Sequence, residues 1–395
     1  MSHFLDFNFS TLQIIVFSLL LCLLVIVLLY LYVIYYRVVS YRHKTDAGKI
    51  GYTTDMPSVS VVVYAHAEEA GRVLDLLPKL LVQKYPEYEV IVVNDGTSEE
   101  IQNAVSMYEC EHSNVYQTFV PDRVSNVSRK KLGITLGIKA SKYDVIVLTD
   151  ANCVPVSDNW LQSIARNFVP GVDVVLGYTR MANDTVGRKC RFKVFDRMTF
   201  ALRFLSFAVL HRPYMGMGSN LAYRKEAFFA LNGFSSTLNL HFGDDDLLVN
   251  EIAHKSNTRI EISPESIVES INEDNCAAWD ELRMRYNFTS KYLRTSSKAI
   301  FRFETFVHIL FWITFAASLA VGYTHLLCVI AALLMMLLYW LFIWRVYLTM
   351  SRLLGESCRS GLVPFYYLLR PCYQFYYSMV GKSYNKSNFT WQYLR

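Results

Sequence analysis

Ile14 to Tyr36 is a nearly uninterrupted apolar run, and it constrains everything that follows it in the chain. A run of that length crosses the hydrocarbon core of a bilayer as one helix. It is too long for the apolar region of a cleaved signal peptide. It also lacks a basic segment ahead of it and a small-residue cleavage site behind it. Tyr30, Tyr32, Tyr35 and Tyr36 form an interfacial belt before Arg37. Two further runs, Phe306 to Tyr323 and Leu326 to Trp344, are separated by Thr324-His325 alone, which predicts a tight helical hairpin. Arg294, Lys298 and Arg302 precede the hairpin, and Arg345 and Arg352 follow it. The positive-inside rule then places the central region and the C-terminus in the cytoplasm, in a multi-pass protein of the cell (inner) membrane. Gly361 to Val380, interrupted by Pro364, Arg370 and Pro371, reads as an interfacial or re-entrant segment rather than a fourth crossing.

The chain therefore divides into an anchor (1–45), a central domain (57–297), a hairpin (304–346) and a tail (347–395). The central part is long enough for one substantial core. A net charge of +5 is modest, and Arg37, Arg42, His43 and Lys44 sit beside an apolar run, where they suit anionic headgroups. No nucleic-acid motif occurs, so nucleic acid is set aside as a partner. Eight scattered cysteines without a CxxC pair predict free thiols in a reducing compartment, with neither a disulfide framework nor a zinc site.

Within the central domain, Ser58–Tyr64, Tyr88–Val93, Val115–Phe119 and Val145–Thr149 are short β-branched runs of the kind that form buried parallel strands. Helical patterns lie between them, at Glu69–Gln83 and about Lys130–Ala140. In the first, Leu74, Leu77, Leu80 and Leu81 form the apolar face, and Pro78 interrupts it. This alternation predicts an α/β fold with helices on a parallel sheet. Val172–Arg180 reads as one more strand. Cys190–Leu210 reads as an amphipathic helix that packs on the sheet or touches the bilayer.

Acidic clusters punctuate the same stretch: Glu68-Glu69, Asp95 after the second strand, Asp150 with Asn152 after the fourth, and Asp244-Asp245-Asp246. Ligands of open α/β sheets bind beyond the carboxyl ends of the strands. Asp95 can accept hydrogen bonds from a base or ribose, or close an Asx turn. Asp150 and Asn152 flank a small Ala and can meet one hard cation that bridges phosphates, or form a turn. Three consecutive carboxylates repel one another, which raises a pKa and suits a general base; a solvated loop is the alternative. Gly216–Asn220 offers backbone N–H groups for a phosphate or sugar hydroxyl. Trp279, Arg283, Arg285 and Tyr286 make a patch able to clamp a diphosphate or bind headgroups.

In this order, from about Pro57 to Arg294, the motifs resemble those of membrane-bound bacterial family 2 glycosyltransferases. The resemblance implies a GT-A (Rossmann-like) nucleotide-sugar transferase domain with one N-terminal and two C-terminal transmembrane helices. It implies Glu68 (or Glu69), Asp95, Lys131, Asp150, Arg283 and Arg285 on the donor side. Gly218, Asn220 and Tyr286 fall on the acceptor side, Asp150 and Asn152 on Mg²⁺ or Mn²⁺, and Asp245 is the base, with Asp244 in contention. Leu282 stands where processive members carry Gln, which counts against a polymer synthase. The implied reaction is inverting transfer from a UDP- or GDP-linked sugar to a lipid-linked glycan or polysaccharide. A non-catalytic subunit of a polysaccharide synthase and a membrane nucleotidyltransferase are the alternatives.

Overall fold

The computed structural model describes residues 9–121, 124, 126–182, 190–272, 275–357 and 361–383. The N-terminal run forms two helices end to end, α1 (Thr11–Ile34) and α2 (Tyr36–Asp46). Ser10 starts α1 with a capping box: its hydroxyl accepts the Gln13 N–H, and the Gln13 side chain accepts the Ser10 N–H.

The predicted alternation follows: β1 (Val59–His66), α3 (Ala70–Leu81), β2 (Tyr88–Asp95), α4 (Glu99–Glu111), β3 (Val115–Val120), α5 (Arg129–Ala140) and β4 (Val145–Asp150). These four strands are parallel, in the order β3-β2-β1-β4. All positions of β1 except His66 are buried, as expected of a strand covered on both faces. Gly137 lets α5 lie close to the sheet, since a Cβ there would come within 2.6 Å of Val62. The helix α3 runs through Pro78, and its buried face is Val73, Leu76, Leu77 and Leu80. Leu74 is exposed, so the face is rotated from the all-leucine stripe of the sequence reading. That rotation leaves the Leu74 carbonyl, the one Pro78 cannot bond, on the solvent side.

Beyond β4 come β5 (Cys153–Pro155), α6 (Trp160–Ala165), β6 (Val174–Leu176), β7 (Thr179–Met181), α7 (Arg191–Val209), β8 (Leu221–Arg224), α8 (Lys225–Ala230) and α9 (Asp246–Ile252). The strands β9 (Thr258–Ile260) and β10 (Val268–Ser270) close the central part. Among the described residues β4 is followed by β8, β6 and β9 in a seven-stranded sheet, while β5, β10 and β7 form a small second one. The single strand expected over Val172–Arg180 is thus two strands in different sheets. The break is at Gly177, where a Cβ would collide with the Asn220 side chain at 2.4 Å.

Every residue of α7 except Arg191, Lys193 and Val209 is buried. Packing, not the bilayer surface, therefore claims this helix. It lies against β9 and against α1, α2, α10 (Asn275–Thr289) and α13 (Val363–Ser383). Between α10 and α13 run α11 (Thr295–Gly322) and α12 (Leu326–Leu354). Among the described residues three helical stretches are long and apolar enough to cross a membrane: Thr11–Asp46, Arg302–Gly322 and Leu326–Leu354. The tail segment is a continuous helix through Pro371 that packs on α10, α12 and α7.

The expectation of free thiols is corrected at one pair. Cys190 and Cys276 form a disulfide, with Cα atoms 5.6 Å apart. The packing of α7 against α10 brings together cysteines 86 positions apart, a proximity no local spacing reports. Cys22, Cys110, Cys153, Cys328 and Cys372 are free, and Cys358 lies outside the described residues.

A buried carboxylate holds the helices to the domain. Glu304 of α11 accepts the hydroxyls of Tyr30 (2.9 Å) and Tyr35 (2.9 Å), the Tyr367 hydroxyl (2.5 Å) and the Arg203 guanidinium (2.8 Å). Removing one partner of a buried ion pair typically costs about 3–5 kcal/mol. Glu304→Ala is therefore expected to lower the thermal midpoint in detergent sharply, while Glu304→Gln, which keeps the tyrosine bonds, loses less. Equal midpoints for the wild type and Glu304→Ala would show that this carboxylate does not hold the helices.

Candidate active site

Parallel register sets the level of the site. Tyr64 pairs with Asp150 and His66 with Asp95, so three strands end side by side, with β1 between β2 and β4. Beyond these ends lies a cavity of about 340 Å³. Its wall includes Tyr64, His66, Lys130, Asp150, Asp244 and Asp245.

Lys130 organises the acidic wall. Its ammonium lies 2.9 Å from Asp150 Oδ1 and 3.0 Å from Asp244 Oδ2. Burial works against its charge, but the two carboxylates outweigh it and raise the amine well above its ordinary pKa. The lysine expected at the donor site was Lys131, which is buried elsewhere and donates to the Thr237 carbonyl at 2.7 Å. Burial lowers that amine to about 8. One residue is about 100° of helix rotation, enough to separate the two faces. Lys130 shares its face with Gly133 and Gly137, which press on β1, and that phase was a legible signal.

The three consecutive aspartates occupy three environments. Asp244 pairs with Lys130; burial opposes ionisation, yet the ammonium holds the carboxyl below its usual range. Asp245 precedes α9 and accepts the Asp246 N–H on Oδ1 at 2.7 Å. Its Oδ2 accepts the Gly218 N–H at 3.0 Å and the Tyr286 hydroxyl at 2.7 Å. Burial first, then Asp244, raises this carboxyl to about 6. Asp246 is buried in α9 and accepts from Thr289; burial and Asp245 push it well up.

The other predicted residues divide. Asn152 lines the cavity, and its amide donates to Asn272 Oδ1 at 2.8 Å. Asp95 has partners of its own: Tyr64 at 2.5 Å, His66 at 2.9 Å and Arg129 at 2.6 Å. Burial opposes its charge, but His66, Arg129 and Tyr64 hold the carboxyl far below its ordinary value. The cavity wall is formed by Tyr64 and His66 rather than by Asp95 itself. Of the acidic pair, Glu69 lines the cavity and accepts the His66 N–H at 3.0 Å, whereas Glu68 is exposed outside it. Gly218 and Tyr286 face the cavity through Asp245. Asn220 does not: it is buried and ties Tyr178, Ser266 and Trp160 together.

The two arginines also part. Arg285 lies on the cavity wall over Phe242 and pairs with Glu281. Arg283 turns away, donating to buried Asp196 at 2.9 Å and stacking on Phe200. Residues four apart share a helix face and residues two apart do not, so the Arg-x-Arg pair cannot act as one clamp. Among the described residues no three His, Cys, Asp or Glu side chains are grouped to hold a metal by themselves.

The sequence model of glycosyl transferase family 21 matches residues 23–393. The chain belongs to that family. It is a glycosyltransferase, and the family is 21 rather than the family 2 suggested by the motifs. No curated protein matches this family 21 chain. The solved mannosyltransferase PcManGT from Pyrobaculum calidifontis, in complex with GDP-Man and Mn²⁺, is similar with a TM-score of 0.50 at 17% identity. The match covers 88% of this chain and 99% of that one, and at such identity the likeness is one of fold.

Lys130→Met is expected to destabilise this transferase at neutral pH, because Asp244 then stays buried without its counter-charge. The depressed Asp244 carboxyl contributes stability above its unfolded pKa and loses it as pH falls through the folded value. The gap between variant and wild type should therefore close below pH ~4. Thermal midpoints across pH check this, and a gap that ignores pH would remove the ion pair from the account.

Proposed function

We propose that this family 21 protein is an inverting transferase with a GT-A domain. It moves a sugar from a UDP- or GDP-linked donor to a lipid-linked glycan or polysaccharide at the cytoplasmic face of the cell membrane. The observation that carries the reading is the meeting of Asp150, Asp244, Asp245 and Lys130 in one cavity at the strand ends. The similar mannosyltransferase was solved with GDP-Man and Mn²⁺, which favours a nucleoside diphosphate sugar and a divalent metal here.

Asp150, Asn152 and Asp244 offer hard oxygen donors suited to Mg²⁺ or Mn²⁺ together with phosphate oxygens. An ammonium already lies between the two carboxylates, so positive charge is favoured at that place. When bound there, the metal supplies charge neutralisation for the departing diphosphate. Lys130 shares that electrostatic task from the protein side.

Asp245 is the general base. Gly218 and Tyr286 occupy both lone pairs of Oδ2, and Oδ1, which accepts the Asp246 N–H alone, keeps a second lone pair for an incoming hydroxyl. The acceptor oxygen attacks the anomeric carbon as its proton passes to Asp245. The new C–O bond forms while the bond from that carbon to the diphosphate oxygen breaks, and the nucleoside diphosphate leaves from the opposite face. A base raised to about 6 is ionised at neutral pH yet basic enough to take a proton. Tyr64 and His66 then face the nucleotide, held by Asp95.

Nucleotide release from a panel of sugar nucleotides, with Mn²⁺ and with EDTA, tests the reading. Asp245→Asn and Asp150→Ala should each remove transfer by at least about a hundredfold while the folded protein stays in the membrane. Substantial transfer by either variant removes its assigned role. Transfer should also rise with pH through about 6 as Asp245 ionises. Stability moves the opposite way: this raised carboxyl is least costly below its unfolded value near ~4, and stability declines as pH rises through the folded one. A neutral ligand binds a cation less strongly than a charged one, so Asn152→Asp should lower the Mn²⁺ concentration needed for half-maximal release. An unchanged Mn²⁺ titration would take Asn152 out of the metal site.

A further inference from the structure

A second cavity, of about 310 Å³, lies behind Tyr286 and Asp246, which line both it and the carboxylate cavity. Its chemistry is different. Arg203, Arg283 and Arg302 line it, with the polar side chains of Asn287, Ser290 and Gln374 between them, and Asp246 is its one acidic wall residue among those described. Asp196, Glu304 and Arg370 stand directly behind the wall. Arg203 answers Glu304, and Arg283 answers Asp196 through Nε at 2.9 Å. Arg302 is exposed and has no acidic partner among the described residues. Counting both layers, four arginines face three carboxyls, and Asp246 is occupied by Thr289 on the side of α10.

The position is as informative as the charge. Arg302 is the first residue of the candidate membrane span Arg302–Gly322 and so stands at headgroup depth. Large apolar side chains on the same two helices are exposed beside the cavity: Phe303 and Phe306 on α11, and Phe375 and Tyr376 on α13. A basic, hydrogen-bonding recess above an apolar helix surface suits a ligand with a compact anion at one end and hydrocarbon at the other. Guanidinium groups match phosphate oxygens in geometry as well as charge. We propose that this recess between α10, α11 and α13 binds the phosphomonoester headgroup of an anionic membrane lipid, with Arg302 as the uncommitted contact and Arg283 as the fixed one. Its occupant lies across Tyr286 from the carboxylate cavity. The site stands whether or not the neighbouring carboxylates transfer a sugar.

The test uses the full chain in phosphatidylcholine nanodiscs carrying a trace of photoreactive phosphatidic acid or of photoreactive phosphatidylcholine. Crosslinks from phosphatidic acid are expected in peptides spanning 283–302 and 370–377. Arg302→Glu should lower their yield by roughly tenfold, as loss of a charge-assisted contact plus repulsion requires, and Arg302→Ala by less. Both variants should retain the donor binding of the wild type, which shows that they are folded; Arg302 lines the recess and not the carboxylate cavity. Equal labelling by the two lipids, or labelling unchanged in Arg302→Glu, overturns the proposal. Full displacement of the lipid probe by millimolar inorganic phosphate overturns the lipid assignment in favour of a free-anion site.

Discussion

Glu304 is one carboxylate at the point where four parts of the chain meet. Tyr30 and Tyr35 reach it from the anchor, Arg203 from the central domain, and Tyr367 and Arg370 from the tail helix. A buried charge without partners is expensive, so the tyrosines and arginines must converge on it. From there the contacts run inward. Arg370 also reaches Asp196, which accepts the Arg283 guanidinium and the Trp279 indole of α10. The same helix carries Tyr286 to Asp245. A continuous polar chain thus joins the long apolar helices to the carboxylate proposed as base, and the position of Tyr286 depends on how the helices seat against α7.

The acidic run shows how little composition says about protonation. Three identical side chains in sequence differ because α9 begins among them, turning each to a different neighbour. Asp244 meets an ammonium, Asp245 a hydroxyl and an N–H, and Asp246 the Thr289 hydroxyl inside the fold. The charged partner lowers one pKa, and burial beside a like charge raises the other two. A pair of carboxyls pushed apart in this way can divide cation binding and proton acceptance between them.

Much of the sheet was legible because β-branched runs and helical spacing are local signals. The strands β1 to β4 and the helix after β3 lie within a residue or two of their expected positions, and each expected apolar run falls in a helical span that continues beyond it. The misreadings were non-local. Gly177 breaks a strand because Asn220 occupies its place, and Asn220 is therefore a packing residue. Cys190 meets Cys276 across two helices. Lys131 and Arg283 have the right charge at nearly the right position, but helix phase sends both into other company.

What the amino-acid order determined by itself was the inventory: apolar runs long enough to cross lipid, a parallel α/β core, and carboxylates placed at strand ends. Those follow from hydrophobicity and backbone geometry acting over a few residues. Tertiary structure decided which lysine faces the carboxylates, which aspartate is ionised at low pH, and which glutamate of the first pair meets the cavity. It also decided that α7 is wrapped by helices from both ends of the chain and that a second, basic recess opens behind Tyr286. Each depends on the angle at which one element packs on another, and that angle is set by contacts between residues far apart in sequence.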